Sequence, residues 1–234
     1  MKLLLSLYLL SYISMLPNLE ISNDEVEILK KVVFPGEEIT HLDIAKIGRV
    51  VVLYGEENKV EIHADSKEIN EIKYKLSGKK LKIYSKKSVA ANHSTIYVTT
   101  NVKSLSSSLT AIGALEIQDK ITHDQLSIEG KSVGNISIDC EVNNLTIDME
   151  SIGTITVKGT AGSLNTNITA GGTLDFDNVT VQSAYIKTKA VSSILLNVEQ
   201  LLKIDTYATP QIRVRGTADI DILHKDPSVK IEII

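Results

Sequence analysis

The chain has no tryptophan, two phenylalanines, one cysteine and four prolines in 234 residues. Tyrosine, with eight copies, is the commonest aromatic. Stacking platforms for sugars or bases are therefore scarce, and tyrosine has to serve where one exists. The single cysteine, Cys140, excludes an internal disulfide, so stability rests on burial and ladder hydrogen bonds. Cys140 reads as a small apolar residue at a turn, with an intermolecular disulfide as the lesser alternative. A formal net charge of −4 with both signs interspersed leaves no basic footprint and excludes nucleic acid as the partner. Helix signals are nearly absent beyond the first residues. There, Lys2 precedes an apolar run from Leu3 to Leu16 that ends at Pro17. That run is short for a bilayer span and fits the core of an export signal. No clear small-x-small cleavage pair follows it, so an uncleaved anchor stays open, and a buried N-terminal helix is the alternative. No cysteine stands beside it, which argues against a bacterial lipoprotein.

What the chain does have is a repeat. Leu105, Leu126, Leu145, Leu164, Ala184 and Leu202 each open a segment, at spacings of 21, 19, 19, 20 and 18 residues. Six residues on stands a small residue: Ala111, Ser132, Ser151, Ala170, Ala190 or Ala208. Two further on comes a turn former, Gly113, Gly134, Gly153, Gly172, Ser192 or Pro210. An apolar-x-apolar step follows, from Leu115/Ile117 to Ile212/Val214. Self-similarity at this period predicts a solenoid, in which no repeat buries its apolar face without its neighbours. The expected fold is all-β: a right-handed parallel β-solenoid with rungs of about 19 residues, stacked about 4.8 Å apart. Like residues line its interior in columns, such as Ile128, Ile147, Thr166, Ile186 and Ile204. The small residue marks a corner too tight for a larger side chain, and the glycine after it is expected to supply φ freedom there.

Shorter, partly antiparallel strands are expected to precede the coil. Val50–Tyr54 is densely apolar, while Lys59–His63, Ile72–Leu76 and Leu81–Tyr84 alternate with period two. The lysine-rich stretch Lys75–Lys87 reads as a solvated face or a guarded sheet edge rather than a ligand patch. The organisation expected is a signal or anchor over 1–17, a linker over 18–30 and a β-strand region over 31–104. Solenoid rungs over 105–216 and capping strands over 217–234 complete it. The caps are expected because a bare rung end is an aggregation template.

The outward columns carry the candidate surfaces. One follows the opening positions and includes Ser127, Thr146, Asn165 and Tyr185. Another follows the second inward strand residue and includes Asp139, Lys158 and Asp177, which would stand one rung apart as an alternating charge ladder. Lys131 and Glu150 would pair in the same way. Such surface pairs serve register and solubility more than stability.

The step written here as Ala111-Ile112-Gly113-Ala114-Leu115, Ser132-Val133-Gly134-Asn135-Ile136, Ser151-Ile152-Gly153-Thr154-Ile155 and Ala170-Gly171-Gly172-Thr173-Leu174 resembles a recurring Gly-Ser-Gly-Asp-Ile motif. That motif belongs to the "putative auto-transporter adhesin, head GIN domain" family of exported bacterial proteins. Gly48–Val52 with Lys59–Ile62, and Gly78–Ile83, resemble the family's opening strands. The resemblance covers roughly residues 31–230. The motif aspartate is replaced by Ala114, Asn135, Thr154 and Thr173, and the first glycine by Ala or Ser. The resemblance implies an exported protein of the cell envelope or its surface, and no catalytic residues.

The residues themselves argue against chemistry. Parallel β-helices also carry polysaccharide-cleaving enzymes, and Asp175 and Asp177 with Asp139 are the best carboxylate cluster. Lys158 would stand between Asp139 and Asp177, however, and nothing in the pattern raises a carboxyl pKa. Glu129 and Asp148 offer two side chains, too few for Ca²⁺. His41, His63, His93, His123 and His224 lack metal-ligand spacing and read as surface or turn residues. No cofactor and no metal are expected. The expected role is non-catalytic, adhesin-like binding of a glycan or surface protein, with no membrane insertion beyond the N-terminal segment. The alternatives are a self-assembling envelope scaffold and, less favoured, a carbohydrate-active enzyme. The pattern leaves the oligomeric state open.

Overall fold

The computed structural model describes residues 28–33, 36–86, 94–208 and 211–234, apart from the side chains of 119–121. The expected export segment 1–17, most of the linker 18–30, His93 and the turn position Pro210 lie outside the described residues.

The described residues are essentially all β. In chain order the strands are β1 (Ile28–Val33), β2 (His41–Ala45), β3 (Arg49–Tyr54), β4 (Lys59–Asp65), β5 (Ile72–Ser77), β6 (Lys80–Ser85) and β7 (Thr95–Thr100). Then comes β8 (Ser104–Ala208), one unbroken run of ladder-bonded backbone, followed by β9 (Gln211–Arg215), β10 (Asp219–Lys225) and β11 (Lys230–Ile233). Alternation makes several of these strands half-buried, whereas Val50, Val51 and Val52 of β3 are all buried. In β4, Val60, Ile62 and Ala64 face the core while Lys59, Glu61, His63 and Asp65 do not. The end of the segment expected to be a linker already belongs to β1.

Pairing is mixed. β1 with β4, β4 with β7 and β5 with β6 are antiparallel. β2 lies parallel between β6 and residues 106–110 of β8, and β3 lies parallel between β7 and residues 114–117. Further along, β8 turns back on itself: Gly134 lies on Gly113, Gly153 on Gly134 and Gly172 on Gly153. Inside, Thr188 Oγ1 and Thr206 Oγ1 meet at 2.8 Å. The fold is therefore solenoid-like, with its antiparallel strands at the N-terminal end. The column Ile128, Ile147, Thr166, Ile186 and Ile204 is fully buried, as are the opening residues and the apolar steps. One continuous apolar core runs from Val33 to Val229.

One expectation changes. At two corners the left-handed conformation falls on the small residue and not on the glycine: Ala111 and Ser132 have φ of 54°, whereas Gly113, Gly134, Gly153 and Gly172 stay outside the positive-φ region. Those glycines serve close stacking instead. A methyl on Gly153 would lie 2.5 Å from the carbonyl oxygen of Gly134, and one on Gly172 2.3 Å from that of Gly153. The segment 217–234, expected as a final turn and capping strands, supplies β10, which pairs in parallel with residues 201–206, and β11, which pairs in parallel with β9. Ile222 and Ile233 are 47% and 70% exposed, although they stand in register with the buried Ile204 and Val214.

The structure also contains a level that the repeat spacing does not reveal. Ala45 pairs with Thr110, Lys46 N donates to Thr110 O at 2.9 Å and Gly113 N donates to Ile47 O at 3.2 Å. Lys46-Ile47-Gly48 is thus the corner that Ala111-Ile112-Gly113 forms on the next level. Lys46 shares its left-handed backbone, with φ of 58°.

Candidate binding surface

Ser127, Thr146, Asn165 and Tyr185 all sit on the outward side of β8, half-buried except for the exposed Asn165. The bonds around them set their order. Ser163 Oγ donates to Asn144 Oδ1 at 2.8 Å and Asn167 Nδ2 to Asp148 Oδ1 at 3.1 Å. Thr146 and Asn165 lie midway between those two bonds, on adjacent levels. Asn143 Nδ2 to Asp124 Oδ1 (3.3 Å) and the Lys131–Glu150 ion pair flank Ser127 and Thr146 in the same manner. Tyr185 turns its hydroxyl to Asp205 Oδ2 at 3.4 Å.

The charge ladder forms only in part. Lys158 Nζ lies 2.9 Å from Asp139 Oδ2. Asp177 is held by Arg215 Nη2 at 3.3 Å, across the level that carries Asn197, rather than by Lys158. Lysine has one compact ammonium on a flexible stem, and here it leans to one side of the column. Asp175 Oδ1 accepts from the Asp177 backbone N–H at 3.1 Å, which ties the first carboxylate to the local backbone. Asp148 is likewise engaged by Asn167, and Glu150 by Lys131.

One residue departs from its expected setting, and one keeps the role of a small apolar residue. His123 is 3% exposed, because it occupies an inward position equivalent to Val102, Val142 and Ala161. Its Nδ1–H donates to Thr122 O at 3.0 Å, while Nε2 has no partner among the described residues. Burial pushes its pKa down, opposed by the Thr122 carbonyl and by Asp124. Its hidden setting is legible only in hindsight, since His123 stands three residues before the opening Leu126. Cys140 faces the core, and burial pushes its thiol up to about 12, with Asp139 and Glu141 adding to the rise. It stays protonated and enclosed, which removes the intermolecular disulfide.

The surface that sequence reasoning passed over lies on the N-terminal sheet. Across β5, β6 and β2, Lys73 stands beside Tyr84 and Tyr84 beside Ala45; Lys75 stands beside Lys82 and Lys82 beside Asp43. These residues and Lys46 line a groove of about 500 Å³. Elsewhere on this end, Glu61 gathers Lys30 (3.0 Å), Lys59 (3.3 Å) and His63 (3.2 Å). The Lys30 hydrogen bond leads in holding its carboxyl down at about 2. Arg49 and Glu116 form a close ion pair between adjacent levels, which raises the arginine and lowers the carboxyl.

A family profile described as "Putative auto-transporter adhesin, head GIN domain" matches residues 39–218. The chain belongs to this family. A solved "putative adhesin" from Bacteroides fragilis is similar to this GIN-domain chain, with a TM-score of 0.79 at 18% identity, covering 89% of this chain and 97% of that one. A "putative adhesin" from Parabacteroides distasonis gives 0.61 at 13%, and a "Putative lipid binding protein" from the same organism 0.56 at 16%. Both cover 89% of this chain and 97% of their own. No curated protein matches significantly. Family membership makes this an exported, surface-associated or extracellular protein with a non-catalytic binding role of the adhesin type. At these identities the solved relatives speak for the fold alone.

Proposed function

We propose that this GIN-domain chain is a rigid binding rod for a glycan or a surface protein. Its coil is right-handed, with levels of about 19 residues over 105–216 and a lead-in over 31–104. Outward polar columns would meet the partner through many weak hydrogen bonds, often bridged by water. Ser127, Thr146, Asn165 and Tyr185 form the favoured face, and Asp139, Lys158 and Asp177 the second.

One observation supports this reading above others. Side chains 19 residues apart bond directly between levels: Asn143 to Asp124, Ser163 to Asn144 and Asn167 to Asp148. Such bonds hold outward groups in rows at about one strand spacing, ~4.8 Å. The entropy of ordering them is then lost in folding rather than in binding. A partner with its own repeat gains most from such rows.

The test is a screen of the purified protein against a panel of glycans and surface polymers, with sedimentation of the same sample. A monomer that binds specifically, and more weakly after Thr146→Ala with Asn165→Ala, supports the reading. Absence of binding, with mass growing as concentration rises, favours the second reading, a self-assembling scaffold. The exposed Ile222 and Ile233 on the last level favour that alternative.

A further inference from the structure

We propose that the groove on the β5–β6–β2 face binds an acidic oligosaccharide, one bearing carboxylate or sulfate groups. This rests on the binding reading above and names a different site from the two outward columns.

Four lysines, Lys46, Lys73, Lys75 and Lys82, line the groove together with one acidic residue, Asp43. Asp43 is already shared by Lys80 at 3.4 Å and Lys82 at 4.0 Å. Lys46, Lys73 and Lys75 have no carboxylate partner among the described residues; Lys73 donates only to the Asn70 carbonyl, at 2.8 Å. The protein as a whole carries −4, so this patch runs against its overall sign. A local field of that kind attracts anions. Compact ammonium groups on flexible stems suit scattered carboxylates or sulfates, where arginine would favour planar two-point pairing.

The shape fits a sugar. Tyr84 is 38% exposed, and its strand neighbour on one side is the small Ala45. A ring beside a small residue leaves a depression with an apolar wall and a polar tip, which suits the C–H face and hydroxyls of a pyranose. Lys82 Nζ stands 5.9 Å from the ring centroid, so charge and ring are presented together. A volume of about 500 Å³ is within the range of small-ligand sites.

Lys46 supplies the independent observation. It occupies the corner where the following levels have Ala111 and Ser132, and where the later repeats keep Ala or Ser. Its φ of 58° is unfavourable for a long side chain and suits glycine. A strained position that carries a charge into a groove is better explained by the groove than by the fold. A guarded sheet edge accounts for Lys73 and Lys75 on β5, but not for Lys46, which lies beyond β2 inside the sheet.

The test measures binding of the full chain to immobilised polygalacturonate, dextran sulfate, neutral dextran and poly-glutamate. Salt-sensitive binding to one or both acidic polysaccharides is expected, with the two arms separating carboxylate from sulfate recognition. Lys73→Gln with Lys75→Gln is expected to weaken it about tenfold or more. Lys46→Gly is expected to weaken it while raising the melting temperature, a combination that a purely structural lysine would not give. Three results would overturn the inference: no binding to either acidic polysaccharide, equal binding to poly-glutamate, or unchanged affinity in both variants. If neutral glycans bind through Thr146 and Asn165 while the acidic ones do not, this inference fails and the proposed function stands.

Discussion

Gly134 lies directly on Gly113: a methyl group at 134 would sit 2.0 Å from the carbonyl oxygen of Gly113. No flexible side chain is available to move aside, since the obstacle is backbone. Gly134→Ala is therefore expected to destabilise the protein by about 1–3 kcal/mol, as overpacking does. Urea denaturation followed by far-ultraviolet circular dichroism measures it. A change within a few tenths of a kcal/mol would mean that the levels separate more easily than the stacking implies.

His123 predicts a pH dependence. Its pKa in the folded protein lies below the ordinary value, so the unfolded chain takes up the proton first. Its neutral form is fully compatible with folding above about pH 6.5, and stability falls as pH drops below that value. His123→Val matches Val102 and Val142 at the equivalent inward positions and removes the unpartnered Nε2. The variant is expected to be more stable by about 1 kcal/mol at neutral pH, with the gain growing toward pH 5. Melting temperatures of both proteins across pH 5–8 check this; parallel curves would exclude His123 as the source.

Glu61 acts in a lower window. With its carboxyl held at about 2 in the folded protein, its contribution is present above the unfolded value near 4.3 and is lost between there and about pH 2. Glu61→Gln is expected to flatten the acid-unfolding curve in that window and to leave the slope above pH 6 unchanged. Loss of the Lys30 contact also loosens β1, which among the described residues pairs with β4 alone. Hydrogen exchange of the β1 amides should therefore accelerate in the variant.

Cys140 offers a probe of opening. Buried and protonated, it should react with a thiol reagent only when the coil opens locally or globally. Labelling in native buffer is expected to be slower than in denaturant by several orders of magnitude. Rapid native labelling would show that the level carrying Cys140 opens on its own.

The columns were legible because alternation along a strand is a local property. Ile128, Ile147 and Ile186 had to share a side with one another whatever the turns did, and they do. The polar outward positions at Thr146 and Asn165 were legible for the same reason. Long, flexible side chains were harder to place. Lys158 pairs with Asp139 and Arg215 with Asp177, a choice that packing on neighbouring levels makes. From sequence the corner glycines suggest φ freedom because glycine tolerates positive φ, yet their role is lack of volume, which shows only when the adjacent level is in place. The groove at Lys46 was hidden because its corner belongs to the same series as Ala111 but is separated from it in sequence by the strands β3 to β7.

By itself the sequence determined that this chain is β, that its apolar residues form columns and that each repeat needs its neighbours, because covalent geometry turns spacing into sidedness. Only the tertiary structure decided which level lies on which. Strand pairing joins backbone groups without regard to sequence distance, so β2 and β3 could pass over the four strands that follow them and dock on residues 106–117. In the same way β6 and β5 pair beside β2, which places Lys46, Lys73, Lys75, Lys82 and Tyr84 around one groove, an arrangement no local pattern records.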